Sequence, residues 1–368
     1  MAENSKIEWT THTFNPWRGC TKVSPGCANC YAETLSGRNP KTLGVWGPNG
    51  TRVVASEAMW REPLKWNKAA ACQCGGGFRG KHSPYCPQVD RPRVFCASLA
   101  DVFEDWQGPM VDAKGKELYV SPGTGIWVPS DFQYMRDRLT MVDVRRRLFH
   151  LIDATPNLDW LLLTKRPENI AKMLPDAKCP LCKGKGGWET GAYSGDCRCG
   201  NGLVIRPNVW LGVSVENQEQ ADKRIPLLLQ TPATVRFLSC EPLLGDIDIQ
   251  PWLFSEYDRY CIDDRFGVPA NANRSKIDWV IVGGESGHGA RPMQPQWARS
   301  LRNQCQDAGT PFFFKQWGDF KPCSYCATSG RNPTISHCSM CHDLNGRRVG
   351  KKAAGRLLDG REWNEVPS

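Results

Sequence analysis

No apolar run in the sequence comes near the roughly 20 residues of a helical membrane span, so no membrane partner is expected. The opening residues, MAENSKIEWT, lack the basic-then-apolar order of a signal peptide, which points to a cytoplasmic, non-exported protein. The composition of a disordered chain is missing too: hydrophobic residues make up 40% and charged residues 23%, near the globular norm. Without an export signal, disulfides are the wrong default for the cysteines, and metal ligation or thiol chemistry takes their place.

Those cysteines are numerous. The 368 residues, enough for one large domain or two ordinary ones, hold 18 cysteines and 15 tryptophans. Lys and Arg number 47 against 38 Asp and Glu, a net charge of +9 that favours a polyanionic partner such as nucleic acid.

The cysteines fall into four clusters and four isolated positions. Cys179, Cys182, Cys197 and Cys199 form one cluster, and Cys323, Cys326, Cys338 and Cys341 another. Each spacing puts paired thiols on two tight turns that can converge tetrahedrally on a structural zinc ion. His337 and His342 flank the second of these sets. Cys72, Cys74, His82 and Cys86 offer a third zinc site. The set of Cys20, Cys27 and Cys30, in GCTKVSPGCANCYAE, differs because no fourth Cys or His lies nearby. Three thiolates suit a [4Fe–4S] cluster with one iron left open to a cofactor or substrate. His12, eight residues upstream, could instead complete a zinc site. Of the isolated positions Cys96, Cys240, Cys261 and Cys305, Cys240 and Cys305 sit in apolar patterns and read as small core residues.

Elsewhere apolar strands alternate with helices. Strands are expected at 93–103 (ending at Asp101), 159–167, 209–217, 235–243, 278–287 and 311–318, with a first strand in EWTTHTFNPWRGC. A helix is expected over 130–155, with Ser130 or Asp131 as N-cap and a stripe of Phe132, Met135, Leu139, Val142, Phe149 and Ile152. Two more helices carry Ala221, Ile225, Leu228 and Leu229, and Trp297, Leu301 and Cys305 behind Pro295. Near-continuous apolar strands alternating with helices predict an α/β fold on a parallel sheet, open or closed into a barrel. The strands end in Asp101, Lys165 with Arg166, Glu216, Glu241, Glu285 and Lys315. In a barrel such ends converge on one face, where active sites sit. Glu216, Glu241 and Glu285 are therefore the candidate catalytic carboxylates, with Lys165, Arg166 and Lys315 as their cations. The expected organisation is a barrel over 1–320 with Cys-rich insertions at 69–90 and 178–203, and a Cys-rich, zinc-binding extension at 321–368.

The segments FNPWRGCTKVSPGCANCYAE, LLLTKRPENI, VWLGVSVENQEQADKRI, VRFLSCEPLLG, VIVGGESGHGARPM and PFFFKQWG together resemble the phage-associated three-cysteine-motif family of radical S-adenosylmethionine (SAM)-like proteins. The resemblance covers about two-thirds of the chain and implies a partial (βα)6-type parallel barrel of radical SAM type, its cluster on the loop after the first strand. It implies Cys20, Cys27 and Cys30 as cluster ligands, although six residues separate the first two where the wider class has three. Asn29 stands where an aromatic residue commonly precedes the last cysteine, and Tyr31 follows it. Gly283, Gly284 and Glu285 look like the motif that holds the SAM amine; that motif normally follows the second strand and here follows the sixth. Ser214 and Glu216 are rival polar contacts, and Tyr31 is a further cofactor contact.

The function so implied is a radical SAM enzyme, fed by an electron donor such as flavodoxin or ferredoxin. It would modify a nucleic-acid base in the host cytoplasm, with phage DNA thymine hypermodification as the leading reaction, such as isomerisation of a base-linked amino acid. The alternatives are a radical SAM enzyme acting on DNA lesions or a small metabolite, and a non-catalytic, zinc-stabilised nucleic-acid-binding protein.

Overall fold

Valine, isoleucine, leucine and aromatic residues crowd the runs DWLLLT, VWLGVS and WVIVG, and each run is an almost wholly buried strand. Strands buried on both faces need no polar alternation, which is why they read as continuous apolar runs. In the computed structural model the described residues are 5–71, 91–121, 127–129, 137–174, 206–255, 275–322 and 346–367, with the backbone of three short strands at Ala2–Glu3, Gly187–Thr190 and Tyr193–Asp196. All the candidate zinc ligands, from Cys72 to Cys86, Cys179 to Cys199 and Cys323 to Cys341, lie outside the described residues, as does Cys261.

The main strands in chain order are β1 (His12–Phe14), β2 (Arg93–Cys96), β3 (Asp159–Thr164), β4 (Val209–Ser214), β5 (Val235–Cys240), β6 (Trp279–Gly283) and β7 (Phe312–Gln316). The main helices are α1 (Tyr31–Arg38), α2 (Glu57–Ala69), α3 (Met141–Asp153), α4 (Gln218–Leu229) and α5 (Pro295–Asp307). The chain forms two compact units: residues 1–21, 35–162 and 172–210 make the first, and 22–34, 163–171 and 211–368 the second. The division falls inside α1, β3 and β4.

In the first unit β1, β2 and β3 lie side by side and parallel, with His12 opposite Val94 and Asp159 opposite Arg93. Helix α2 buries Trp60, Pro63 and Trp66; Trp60 meets Phe14 edge-on, and Trp66 stacks on His12 with ring centroids 4.3 Å apart. The His12 imidazole is therefore a core ring. In the second unit the order is β4, β5, β6, β7, and the last three run parallel. Helix α4, capped by Asn217 accepting from the Gln220 amide, follows β4, and α5 joins β6 to β7. Cys96, Cys240 and Cys305 are buried as core residues. This parallel α/β arrangement is compatible with a partial barrel. No helix among the described residues is long and apolar enough to cross a membrane.

Two expected elements are shorter than the sequence suggested. Helix α3 begins at Met141, and residues 130–136 of the expected helix, with Ser130, Asp131, Phe132 and Met135, lie outside the described residues. Thr140 and Asp143 exchange hydrogen bonds as a capping box, which fixes the start there, and the chain just before, Asp137–Arg138, pairs as a strand with Tyr119 and Val120. Val142 is exposed, and the buried stripe is Met141, Val144, Arg145, Leu148, Phe149, Leu151 and Ile152. Strand β2 stops at Cys96 because Ala97 takes a left-handed φ of 62°. Asp101 lies beyond the strand in a buried turn, accepting from the Phe103 amide.

Candidate functional site

The second unit brings Ser214, Glu216, Glu241, Gly283, Glu285, Lys315 and Lys165 to one set of strand ends, together with the loop that carries Cys27 and Cys30. That loop is a tight turn: Pro25–Cys27 form a short 3-10 segment, the Cys27 amide donates to the Ser24 carbonyl at 2.9 Å, and α1 starts at Tyr31. The thiols of Cys20, Cys27 and Cys30 are all half-buried and unbridged. Among the described residues no group of three or more His, Cys, Asp and Glu side chains is gathered closely enough to hold a metal ion as it stands.

Two carboxylates brace the loop. Glu216, fully buried just past β4, accepts the Gly26 amide on Oε1 at 3.0 Å and the Arg224 guanidinium on Oε2 at 2.8 Å. A Cβ at Gly26 would stand 3.0 Å from this carboxylate, so the close approach requires glycine. Burial pushes the Glu216 carboxyl up, but Arg224 and Lys165, with hydrogen bonds from Ser24 and Gly26, overcome it and hold the group below its ordinary value. Glu285 is 7% exposed; its Oε2 accepts from Asn29 Nδ2 at 3.1 Å and from the Arg291 amide and Nε at 2.8 Å, and its Oε1 from Arg291 Nη2 at 2.7 Å. Burial raises this carboxyl, and the Arg291 and Asn29 bonds bring it below its ordinary value. Arg291 also donates to the Pro25 carbonyl at 3.0 Å, so one side chain ties Glu285 to the cysteine loop.

Glu241 differs. Its Oε2 accepts from Ser239 at 3.3 Å, while its buried Oε1 lies 3.1 Å from the Lys315 ammonium without an aligned hydrogen bond. Beside it β6 shifts register between Val282 and Gly283, and a Cβ at Gly283 would come within 2.4 Å of that oxygen. A Cβ at Gly284 would collide with the Trp317 carbonyl at 2.1 Å. Lys165 donates to Ser214 Oγ at 3.0 Å. Glu216 and Glu285 thus take their ion pairs from Arg224 and Arg291, and only Glu241 pairs with an expected lysine. Tyr31 is 52% exposed at the start of α1.

Cys20 belongs to the first unit, where a separate network fixes its neighbours. Glu104 accepts the Thr21 amide at 3.0 Å and both Nε and Nη2 of Arg52 at 2.8 Å. The same Nη2 reaches Thr21 Oγ1 at 2.9 Å, and the guanidinium lies 3.8 Å over the Trp106 ring. The Cys20 carbonyl accepts from the Gly47 amide at 3.1 Å.

Sequence reasoning found the strand-end carboxylates and missed Arg224, Arg291, Asn29 and Gly26. Arg224 carried a usable signal: it falls between Ala221 and Ile225 on the apolar stripe of α4, where a cation needs a buried partner. Arg291 and Asn29 lie on loops, where no periodicity marks them.

These features define a parallel α/β protein whose cysteine loop is braced by strand-end carboxylates. The chain belongs to a family described as a protein of unknown function (DUF5131), whose profile matches residues 4–111 and 127–367. Neither the curated proteins nor the solved structures contain a match to it.

Proposed function

We propose that the protein is a radical SAM enzyme whose [4Fe–4S] cluster is held by Cys20, Cys27 and Cys30. The observation that carries this reading is the bracing of the Cys27–Cys30 loop, through Gly26 and Asn29, onto the strand-end carboxylates Glu216 and Glu285. What favours the group is donor chemistry: three unbridged, half-buried thiols, with Cys27 and Cys30 on the loop of the second unit, where a buried Glu241 oxygen lacks an aligned donor. When bound, the cluster and SAM supply a reductive cleavage that yields a 5′-deoxyadenosyl radical.

The chain's own residues then divide the work. Glu216 and Glu285 are committed to Gly26 with Arg224 and to Asn29 with Arg291, and position the cysteine loop. Glu241 keeps Oε1 available for the ammonium of a ligand, with Lys315 beside it to meet a carboxylate. Gly283 leaves room for the Glu241 carboxylate and Gly284 for the Trp317 carbonyl, Lys165 orients the Ser214 hydroxyl, and Tyr31 stands exposed at the loop edge. The substrate in this reading is a nucleic-acid base, with thymine of phage DNA as the leading target, and the electron comes from a flavodoxin or ferredoxin. The net charge of +9 supports a polyanion over a small metabolite. The Cys-rich segments outside the described residues would add zinc by their spacing.

The test is anaerobic reconstitution. About four irons per chain, a low-temperature EPR signal on reduction and 5′-deoxyadenosine from SAM are expected. Elemental analysis of the purified chain should also find about two to three zinc ions. Glu241→Gln should raise the KM for SAM about tenfold, as loss of one charged hydrogen bond implies. If the triple Cys20→Ala, Cys27→Ala, Cys30→Ala variant keeps the same iron and EPR signal, the assignment is wrong. Nucleosides from phage DNA made with and without the protein, compared by mass spectrometry, decide the substrate.

A further inference from the structure

The segment GRRVGKKAAGR, residues 346–356, holds five cations and no acid. It is fixed beside the Glu285 loop. Arg348 Nη2 donates to the Gly287 carbonyl at 2.7 Å and pairs with Asp319 at 3.2 Å, and the Val349 and Gly350 amides both donate to the Asp319 carbonyl. Asp319 in turn donates its own amide to the Glu285 carbonyl at 2.9 Å. Arg347 pairs in an antiparallel ladder with Lys321, and a short helix, Lys351–Ala354, follows. Downstream, the Trp317 amide donates to the Gly355 carbonyl and its indole Nε1 to the Leu357 carbonyl. The basic segment is therefore a ledge held at both ends against the candidate site of the same unit.

Its charge is cancelled only in part. Asp319 is paired with Arg348, Glu285 with Arg291, Asp359 with Arg299 and Arg302, and Glu362 with Arg356. Lys321, Arg347 and Lys352 are exposed and pair with no acid among the described residues. Exposed cations with no local acid raise the positive potential of a surface, and a polyanion releases counterions when it meets them.

We propose that this ledge, with Lys321, Arg347 and Lys352 as its phosphate contacts, binds the backbone of a nucleic acid and presents it to the strand-end site. Lys321 and Arg347 lie opposite one another in the two-stranded ladder and Lys352 in the short helix that follows, so the three offer neighbouring charges to a phosphate chain, and the attachment to the Gly287 carbonyl puts that chain next to Glu285 and the cysteine loop. A base must leave its stack to reach such a site, so single-stranded or locally opened DNA is the form expected to bind best. The inference rests on the reading of the protein as a base-modifying enzyme for its meaning, and its test needs neither cluster nor SAM.

The test uses the full chain and a labelled single-stranded DNA of roughly 30 nucleotides in fluorescence anisotropy, across a salt series. The Lys321→Ala, Arg347→Ala, Lys352→Ala variant should bind at least about tenfold more weakly, and its log Kd against log salt slope should fall by about 2. Removing equal charge from α2, as Arg61→Ala, Lys65→Ala, Lys68→Ala, should leave Kd within about twofold of the parent. Equal weakening in both variants, or in neither, would overturn the ledge. So would binding to anionic phosphatidylserine vesicles with none to DNA. DNA binding that depends on the ledge, in a protein that cleaves no SAM, would keep this inference and remove the enzymatic reading.

Discussion

Arg52 and Glu104 sit 0% and 3% exposed and meet through two parallel hydrogen bonds of 2.8 Å. A pair this deep gains little over an apolar replacement, but breaking it strands a charge without water. Glu104→Ala should therefore destabilise the chain by about 3–5 kcal/mol, read as a lowered urea midpoint. It should also speed alkylation of Cys20 in the metal-free protein, because the Thr21 amide and hydroxyl lose their anchors. Arg52→Met with Glu104→Leu, which removes both charges, should recover most of the midpoint. An unchanged midpoint in Glu104→Ala would show that water reaches Arg52. Single residues of this kind were only partly legible. Cys240 and Cys305 read correctly as core because their neighbours in sequence are apolar. Glu285 and Glu216 are visible as charges ending apolar runs, whereas the cations expected beside them, Lys165, Arg166 and Lys315, are not the ones that form their ion pairs: Arg291 and Arg224 do, since a salt bridge is a choice among cations that only packing makes. Among the described residues nine tryptophans are buried, in keeping with a mainly structural role.

At the scale of elements, existence was easier to read than extent. Buried strands such as β4 and β6 announce themselves through unbroken apolar runs, and α5 through proline at its first position. The ends of β2 and α3 were misplaced because one depends on a single left-handed alanine and the other on a capping box that competes with an earlier Ser130-Asp131 signal. The end of β6 shows what such terminal detail controls. Gly283 stands at a register shift with Glu241 Oε1 2.4 Å from where a Cβ would lie. A backbone strand cannot yield far, so the carboxylate must move. Gly283→Ala should lower the melting temperature by a few degrees, as a cost of about 1–3 kcal/mol implies. Gly283→Ala combined with Glu241→Ala should regain most of the loss, as coupled neighbours do. Strictly additive losses in the pair would mean that the strain lies elsewhere in the bulge.

For the whole molecule, alternation of strand and helix was enough to predict a parallel α/β fold, but not the grouping of segments 22–34 and 163–171 with 211–368. That grouping comes from hydrogen bonds such as Gly26 to Glu216, 190 residues apart, on which local periodicity carries no information. The same long-range ties set how stability responds to pH. Glu216 and Glu285 are held below their ordinary values, so both favour folding above the unfolded carboxylate pKa of about 4.3, and that contribution disappears as pH falls through their folded values. Asp278 opposes them: burial raises it, so its charged form costs stability at neutral pH and acid relieves that cost. Glu57, held below its ordinary value by its hydrogen bonds from Arg147, joins the first two, and three depressed carboxyls against one raised are expected to leave a net loss in acid. On the alkaline side Cys96, Cys240 and Cys305 are raised by burial and stay as thiols, while their unfolded counterparts ionise near pH 8.5. Stability should then fall again as pH rises beyond that point. The melting temperature should accordingly trace a dome, flat from about pH 5 to 8. In Glu285→Gln the acid limb should become shallower even if the plateau drops, because the plateau reports lost contacts and the slope reports the proton. An acid limb of parental steepness in that variant would assign the proton uptake to other carboxyls.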